Sequence, residues 1–354
     1  MINYSITMDI RETSSEKLIE FLQQQNEKSF RAKQLHDWLW KKNVTSFDEM
    51  INIPKGLQEK LKENFSFLQT KIAKEVVSTD KTIKFLFSLF DNEQIEGVLI
   101  PLQSRVTACI SSQVGCPLKC SFCATGTIGF KRQLRFWEII DQYVLMNRRS
   151  VEIFGISISN IVLMGMGEPL LNYDNVLKAI EVLTSINGNE ISPSRITLST
   201  VGINAGIKKL ADDGFKANLA VSLHVADNDK RSILIPVNQS NPLQDLRNAL
   251  CYYVEKTGQR ITIEYMLLHN VNDSLEDAEK LCRFCRAFPV KINIIEYNAT
   301  NTLFKPSTQE KKAAFTAFLD SKNLIVNVRQ RRGKDIAAAC GQLGIQYDHP
   351  PLRE

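Results

Sequence analysis

Six short apolar runs alternate with helix-like stretches through most of the chain, and this alternation limits the fold more than any other feature. The runs begin at Arg105 and read VTACISS, ISNIVLMG, SRITLST, KANLAVSLH, RITIEYMLL and VKINIIEYN. Strands that alternate with helices are typical of a parallel sheet, and six repeats predict an α/β fold with a partial (β/α)6 barrel. Functional side chains are then expected where each strand ends, because barrel enzymes carry their chemistry at the carboxyl ends of the strands.

The rest of the chain divides around this barrel. Residues 1–70 carry apolar residues at helical spacing, as in TSSEKLIEFLQ and FRAKQLHDWLW, and predict an N-terminal helical accessory domain. Residues 71–104 contain TIKFLFSLF and EGVLIPL, which predict a short β-rich connecting segment. The barrel is expected to occupy residues 105–330, and residues 331–354 are expected to form a C-terminal loop and tail.

The N-terminal part shows two helix-start signals. Ser14 or Ser15 is the expected N-cap of the first helix, and Ser46 with Glu49 is the expected capping box of a later one. This part is also rich in Lys and Arg, which indicates either a solvated helical face or a surface that binds RNA phosphates.

Composition mainly excludes classes of protein. Hydrophobic residues make up 44% and charged residues 23%, which is ordinary for a globular protein and excludes disordered, collagenous and coiled-coil chains. The net charge of +5 permits a nucleic-acid partner without requiring one. No apolar run approaches the length of a membrane span, and the start of the chain lacks a secretory pattern. We therefore expect a cytoplasmic protein with no membrane contact, whose 8 cysteines are reduced.

Three of these cysteines, Cys116, Cys120 and Cys123, lie together in CPLKCSFC after the first predicted strand. Thiolates are ligands for zinc or for iron–sulfur clusters. A structural zinc ion is normally held by four protein ligands, whereas a [4Fe–4S] cluster held by three cysteines keeps one iron open. The residues alone leave three interpretations: such a cluster, a zinc site with Cys109 as fourth ligand, or unrelated buried thiols.

The pattern C-x3-C-x-Φ-C, with Phe122 as the aromatic residue, resembles the radical S-adenosylmethionine (SAM) superfamily. The segment GMGEP after the second strand resembles the glycine-rich segment that meets the amino group of SAM. Glycines permit close backbone approach, and Glu168 offers a carboxylate to an ammonium group. The resemblance implies that the open iron binds SAM and that reductive cleavage yields a 5′-deoxyadenosyl radical. An electron donor of the flavodoxin or ferredoxin type is therefore expected.

A narrower resemblance covers nearly the whole chain, from the N-terminal helices to about Gly344. The adenine-C2 RNA methyltransferases of the RlmN type, in the RlmN/Cfr family, are similar to this chain in six segments. These are SSQVGCPLKCSFCATGTIGFKR, MGMGEPLLNYDNV, LSTVG, SLHVADNDKRSILIPVN, LLHNVND and RGKDIAAACGQL. Ala205 is a small departure, since the family often has proline there.

This resemblance implies roles for individual residues. Cys340 would carry a methyl group, Cys109 would resolve the product by forming a disulfide, and Glu96 would accept a proton. The positions expected to contact SAM are Gly167, Glu168, Ser199, Ser222, Leu223, His224 and Asn298. Taken singly, each residue also fits a structural role, such as Glu96 as a surface carboxylate on a strand edge, so the assignment depends on the whole set.

The implied activity suits the chemistry of the substrate. The C2 carbon of adenine is electron-poor, and the methyl group of SAM is an electrophile, so direct transfer would pair two electrophiles. A carbon radical formed on a methylated cysteine can add to C2, with one SAM supplying the methyl group and a second supplying the radical. The family resemblance implies that the substrates are an adenine of 23S rRNA at the peptidyl transferase centre and adenine 37 of tRNAs.

Two rival functions fit the same residues. Methylation at adenine C8, the activity that confers antibiotic resistance, would use the same two cysteines, although Pro169 in GMGEP favours C2. A non-catalytic zinc-containing RNA-binding protein is the rival from another class.

Other cysteines and a basic run complete the candidates. Cys251, Cys282 and Cys285 are interpreted as structural, because the last two fall within a helical pattern with no second cysteine pair nearby. The run VRQRRGKD leads into the Cys340 motif and is expected to hold the RNA backbone while the target base is extruded from its stack. Its cationic residues are Arg329, Arg331, Arg332 and Lys334.

Overall fold

The six predicted strands are present, and they lie side by side in one sheet. In the computed structural model, which describes residues 8–298 and 304–344, these strands run parallel and helices connect them. A seventh parallel strand, Ile325–Val328, pairs with the last of them and was not predicted. Its sequence IVNV is short, and its side chains are largely exposed at the sheet edge, so it lacks the apolar signal of a buried strand.

The strands are β1 (Lys71–Val77), β2 (Ile83–Ser88), β3 (Gln94–Leu102), β4 (Arg105–Cys109), β5 (Gln113–Gly115), β6 (Phe130–Gln133), β7 (Asn160–Leu163), β8 (Ile196–Thr200), β9 (Asn218–Ser222), β10 (Ile261–Leu267), β11 (Val290–Glu296) and β12 (Ile325–Val328). The main sheet has the order β1-β2-β3-β4-β7-β8-β9-β10-β11-β12, and β5 and β6 form a separate hairpin. Neighbours from β1 to β4 are antiparallel, and those from β4 to β12 are parallel. The β-rich segment therefore extends the barrel sheet directly.

The α-helices are α1 (Ser15–Gln24), α2 (Phe30–His36), α3 (Lys55–Asn64), α4 (Ala124–Ile128), α5 (Phe136–Phe154), α6 (Tyr173–Thr184), α7 (Asn204–Asp212), α8 (Asn228–Leu234), α9 (Leu243–Thr257), α10 (Leu275–Cys285) and α11 (Gln309–Ser321). The first three precede the sheet, as predicted for the N-terminal part. None of the helices within the described residues is long and apolar enough to cross a membrane.

The parallel strands curl into the predicted partial barrel. Side chains from β4, β7, β8, β10 and β11 all line one cavity of about 470 Å³. They include Thr107, Asn160, Thr197, Thr262 and Asn293. A flat sheet could not arrange side chains from β4 and β11, which lie five strands apart, around one space, so the inner face of the sheet is concave.

The N-terminal helices confirm one of the two helix-start signals. The Ser14 hydroxyl accepts a hydrogen bond from Lys17 N at 3.3 Å and caps α1. The capping box at Ser46 and Glu49 is wrong. Glu49 instead accepts hydrogen bonds from the backbone and hydroxyl of Thr45 at 2.9 and 2.7 Å, and residues 47–49 form a single 3-10 turn.

A buried arginine attaches the N-terminal part to the barrel. The Arg11 guanidinium forms ion pairs with Asp9 at 2.9 Å and with Asp141 of α5 at 2.8 Å. It also lies over the ring of Trp137, 4.3 Å from the ring centre. Two carboxylates and an aromatic face thus compensate the positive charge of Arg11, and these contacts hold the N-terminal part against α5.

Candidate active site

The loop that carries Cys116, Cys120 and Cys123 is closed at its base by the β5–β6 hairpin. Cys116 N donates to Gly129 O at 3.1 Å, where the two strands meet. Gly115 has a φ of +76°, and a Cβ atom there would lie 1.7 Å from Gly129 O, so only glycine fits. The hairpin was not predicted, because its strands are only three and four residues long.

Two of the three thiols, Cys116 and Cys120, lie in an environment that disfavours free thiolates. Burial raises the pKa of Cys116 to about 11 and also raises the pKa of Cys120 well above its usual range. The neighbouring thiols and Glu168 act in the same direction on Cys120, which places all four groups in one electrostatic neighbourhood. Thiolates in such a site need a bound cation, which is the condition of metal–thiolate sites.

This donor set fits an iron–sulfur cluster better than a single zinc ion. Among residues 8–298 and 304–344, no three Cys, His, Asp or Glu side chains are grouped closely enough to hold one metal ion. A [4Fe–4S] cluster binds each thiolate through a different iron, so it accepts a wider arrangement of ligands. Cys109, the fourth zinc ligand in the alternative interpretation, lines a cavity with Cys340 instead.

The glycine-rich segment packs directly against the base of the cysteine loop. Gly167 has a φ of +101°, and a Cβ atom there would lie 2.6 Å from the Cβ atom of Gln113 on β5. The Gln113 side chain also accepts a hydrogen bond from Glu168 N at 2.8 Å. The backbone of GMGEP is therefore fixed beside the cysteine loop, and Gln113 is a positioning residue that the sequence did not indicate.

Glu168 is a buried carboxylate with capacity left for a cationic ligand. Its two oxygens accept hydrogen bonds from Val201 N at 2.9 Å and from Leu170 N at 3.0 Å. Burial raises its pKa to about 7. An ammonium group bound here would supply the missing positive charge and favour the ionised carboxylate.

Five of the seven expected SAM positions line one cavity of about 140 Å³ together with the three cysteines. They are Gly167, Glu168, Ser199, Ser222 and His224. The Leu223 side chain is fully buried outside this cavity, and Asn298 lines the adjoining 470 Å³ cavity.

His224 is held as a neutral imidazole. It has a φ of +55° after the end of β9, and its Nδ1 accepts a hydrogen bond from Met266 N at 3.1 Å. Its carbonyl accepts a hydrogen bond from the Asn272 amide at 2.6 Å. Burial lowers its pKa to about 3, so the ring offers an uncharged edge to the cavity.

Cys109 and Cys340 line the larger cavity, and both are free thiols. Cys109 is the last residue of β4 and is buried, whereas Cys340 is exposed and lines both cavities. Burial raises the pKa of Cys109 to about 12, and the neighbouring Cys340 acts in the same direction. The two thiols therefore line one cavity, and Cys340 also lines the smaller cavity that contains the three cysteines.

A buried ion pair holds both ends of the loop 337–344, here called the Cys340 loop. Lys84 Nζ and Glu96 Oε1 are 2.7 Å apart, and both side chains are almost fully buried. Lys84 also donates to Ala337 O at 3.2 Å, and Glu96 accepts from Gly344 N at 2.6 Å. The interpretation of Glu96 as a surface carboxylate is wrong. Its role as a proton acceptor stays a prediction.

The Cys340 loop also contacts the cysteine loop and the helix α4 that follows it. Ala124 N donates to Gly341 O at 2.8 Å, and the Thr125 hydroxyl donates to Leu343 O at 2.6 Å. These bonds join segments that lie more than two hundred residues apart in the sequence. They bring the two motifs together at one site.

The basic run is largely engaged within the protein. Arg331 pairs with Glu296 at 2.8 Å, and Arg332 lies 3.9 Å from Asp80. Lys334 is exposed. Holding the RNA backbone therefore stays a prediction for this run, and three of its four cations, Arg329 included, already have acidic partners.

Arg329 points inward instead. Its Nη1 lies 3.5 Å from Glu264 Oε2, and both residues line the cavity with the two thiols. Asn293 donates to the other Glu264 oxygen at 2.8 Å. Sequence reasoning missed Glu264, although a carboxylate within the otherwise apolar run RITIEYMLL was a usable signal.

We expect Arg329 and Glu264 to shift the reactivity of Cys340 in opposite directions. Desolvation within the two cavities that Cys340 lines raises the pKa of its thiol, the Arg329 cation lowers it, and the Glu264 anion raises it. In cluster-free reduced protein, Arg329→Met should move the midpoint of Cys340 alkylation by iodoacetamide to higher pH. Glu264→Gln should move it to lower pH, because the thiolate is the reactive form. Peptide mass spectrometry across pH measures both shifts.

Arg332→Met is the matched control for this prediction. It also removes a cation that lines the cavity, but one that lies beside Asp80. Its midpoint should equal that of the parent. Shifts of the same sign for Arg329→Met and Glu264→Gln would show that their charges do not govern the thiol.

The remaining cysteines lie in the core, as their structural interpretation expects. Cys282 and Cys285 are buried on α10, and Cys251 of α9 packs against the same core.

Comparisons with known proteins match this geometry. Residues 8–66 match the family model described as "Ribosomal RNA large subunit methyltransferase N-terminal domain", and residues 110–285 match the radical SAM superfamily. A relative from Cytophaga hutchinsonii, named "Probable dual-specificity RNA methyltransferase RlmN", is 48% identical over 95% of this chain and 93% of its own length. A relative of the same name from Christiangramia forsetii is 48% identical over 95% of this chain and 96% of its own length.

A solved structure agrees over the same extent. The crystal structure of a radical SAM methyltransferase from Sphaerobacter thermophilus matches with a TM-score of 0.89 and 38% identity, over 95% of this chain and 99% of that one. Radical SAM enzymes carry a [4Fe–4S] cluster and use SAM, and the three-cysteine loop supplies the matching donors. The chain therefore belongs to the RlmN family of SAM-dependent radical RNA methyltransferases.

Proposed function

We propose that the protein methylates C2 of a specific adenine in 23S rRNA, at the peptidyl transferase centre, and of adenine 37 in tRNAs. The observation that carries this proposal is the placement of two free thiols, Cys109 and Cys340, in a cavity that adjoins the cysteine loop. A methyl-carrying thiol must meet both SAM and the base. Cys340, which lines both cavities, is the group with that access.

Cys116, Cys120 and Cys123 would hold the cluster, and the residues around the smaller cavity would bind SAM. When bound, the cluster supplies the electron that cleaves SAM to a 5′-deoxyadenosyl radical. That electron comes from a donor protein of the flavodoxin or ferredoxin type. Glu168 would accept hydrogen bonds from the SAM ammonium, and the neutral His224 would add no competing charge.

Cys340 would act first as a nucleophile. Its thiolate takes the methyl group of one SAM, and S-adenosylhomocysteine leaves. The radical from a second SAM then removes a hydrogen atom from this S-methyl group, so each turnover uses two SAM molecules. The resulting methylene radical would add to C2 of the base, the C2 proton would pass to Glu96, and one electron would return to the cluster that supplied it.

Cys109 would release the product. Its thiolate attacks the sulfur of Cys340, so a disulfide forms as the carbon–sulfur bond to the base breaks. The freed carbon takes a proton and becomes the methyl group of the product. The disulfide must then be reduced before another turnover.

The identity of the product tests this proposal. The protein is reconstituted anaerobically with iron and sulfide, then incubated with SAM, a reductant and 23S rRNA or tRNA. Nucleosides from the digested RNA are separated and identified by mass spectrometry. We expect 2-methyladenosine, whereas 8-methyladenosine would establish the rival C8 activity. Bound zinc with no cluster and no methylated base would favour the non-catalytic RNA-binding protein.

A further inference from the structure

Arg231 on α8 is a fully buried cation with no anionic partner among the described residues. Its side chain is 0% exposed. The guanidinium donates to Asn238 Oδ1 at 2.7 Å, to Leu223 O at 3.2 Å and to Val201 O. All three acceptors are neutral. Arg11 is the other buried arginine among residues 8–298 and 304–344, and it is paired with two carboxylates.

Such an arrangement is costly unless a negative charge lies nearby. Moving an ion from water into a protein interior is strongly unfavourable, even after the surroundings relax. Three hydrogen bonds to neutral oxygens orient the guanidinium but leave its net charge uncompensated. Burial lowers the pKa of Arg231 to about 10, so the side chain remains charged at neutral pH.

The cysteine loop, which contacts the helix that carries Arg231, is the candidate for the missing anion. Ser121 N and its hydroxyl both bond to Leu234 O, the last residue of the Arg231 helix, at 3.0 and 3.3 Å. Cys120, Leu234 and Ile235 belong to one apolar cluster. Arg231 and Cys120 therefore lie on two segments that contact each other directly.

We propose that Arg231 is the built-in counter-charge of the three cluster thiolates and raises the reduction potential of the cluster. An oxidised [4Fe–4S] core with three thiolates carries one net negative charge, and reduction adds a second. A fixed buried cation stabilises the more negative form, and net charge is one of the factors that set cluster potentials. The inference rests on the proposed cluster and adds a residue that tunes it.

The same contacts also connect Arg231 to the SAM positions. Val201 O accepts from Arg231, while Val201 N donates to Glu168. Leu223, the other backbone acceptor, precedes His224. A purely structural role for Arg231 would therefore disturb the site through shape rather than through charge, and the test must separate the two.

Asn238→Asp changes the charge beside Arg231 without removing the arginine, at the loss of the Asn238 amide hydrogen bonds to Asn228 O and Ser232 Oγ. The Asn238 side-chain oxygen already accepts from Arg231 at 2.7 Å, so an aspartate there pairs the arginine without removing it. The counter-charge role predicts that Asn238→Asp and Arg231→Gln both lower the potential, whereas Arg231→Lys stays near the parent. Lys230→Gln removes a cation from the neighbouring position, which is 42% exposed, and should leave the potential unchanged.

The measurement is a redox titration of the anaerobic full-length holoprotein, followed by electron paramagnetic resonance of the reduced cluster. In the Arg231→Gln and Asn238→Asp variants, the reduced-to-oxidised ratio at a fixed potential should fall by about tenfold or more, which is about 59 mV for one electron. Circular dichroism and iron and sulfide analysis accompany each variant. If Arg231→Gln fails to fold, Asn238→Asp decides the question.

Two results would support the inference and one would overturn it. Lower potentials in both charge-altering variants support it, as does loss of the cluster from these folded variants but not from Arg231→Lys. Parental potentials in folded, cluster-loaded Arg231→Gln or Asn238→Asp overturn it. Failure of the parent itself to take up iron and sulfide would instead remove the proposed cluster, so the two failures are distinguishable.

Discussion

Replacing Cys109 by Ala should leave the protein covalently attached to its RNA. The methylene radical on Cys340 can still form and add to C2, but no thiol then attacks the Cys340 sulfur to break the carbon–sulfur bond. Nearly all turnovers should end in this adduct. It would migrate slowly on a denaturing gel and disappear on nuclease digestion.

Variants of Cys340 give the matching controls. Cys340→Ala should lack the extra methyl mass on the protein, form no adduct and methylate no RNA, and the double variant should also form none. The final disulfide requires that the two α-carbons can come within roughly 7 Å. An adduct in Cys340→Ala instead of Cys109→Ala would reverse the roles of the two thiols.

Replacing Cys116, Cys120 or Cys123 by Ala should abolish both the cluster and the cleavage of SAM. Each variant removes one of three thiolate ligands, and a two-cysteine loop cannot compensate for the loss. The fold should be retained, because the β5–β6 hairpin and the barrel strands do not depend on these side chains. Iron and sulfide analysis, 5′-deoxyadenosine formation and circular dichroism measure the three properties.

Cys251→Ala is the control for this set. It also removes a half-buried cysteine, but one on α9 that bonds weakly to Ala287 O at 3.8 Å. It should keep the parental iron content and rate of SAM cleavage. A variant of Cys116, Cys120 or Cys123 that retains iron and cleaves SAM at the parental rate would show that the cluster assignment is wrong.

Local sequence patterns predicted the barrel because its central strands are strongly apolar. The run ITIEYML is buried along its whole length, and such runs between helices are unmistakable. The edge strand β12 and the outer strand β1 carry mixed, exposed side chains and gave no such signal. The division of the chain at residues 70, 104 and 330 stays a prediction. Residues 1–7 and 345–354 of the first and last segments lie outside the described residues.

The residues of the candidate site could be identified from motifs, but their spatial arrangement could not. The resemblance supplied Glu96, Cys109 and Cys340, yet no local pattern indicates that Glu96 reaches Gly344 across 248 positions of sequence. Contacts of this kind are set by tertiary packing.

The surroundings of the arginine side chains could not be predicted from the sequence either. The basic run looked like one RNA-facing surface, whereas Arg329 turns inward to Glu264. Arg231 stood in a recognised motif, but its burial and neutral partners appear only in three dimensions.

The fate of the SAM methyl hydrogens tests the central claim most directly. The holoprotein is supplied with SAM that carries a trideuterated methyl group, together with a reductant and RNA. Products of the turnovers that follow the first are analysed, because the first uses the methyl group already on Cys340. Transfer through a methylated cysteine requires one deuterium in 5′-deoxyadenosine and only two in the new methyl group on adenine C2. A product methyl group that retains all three deuterium atoms, with none in 5′-deoxyadenosine, would contradict the account.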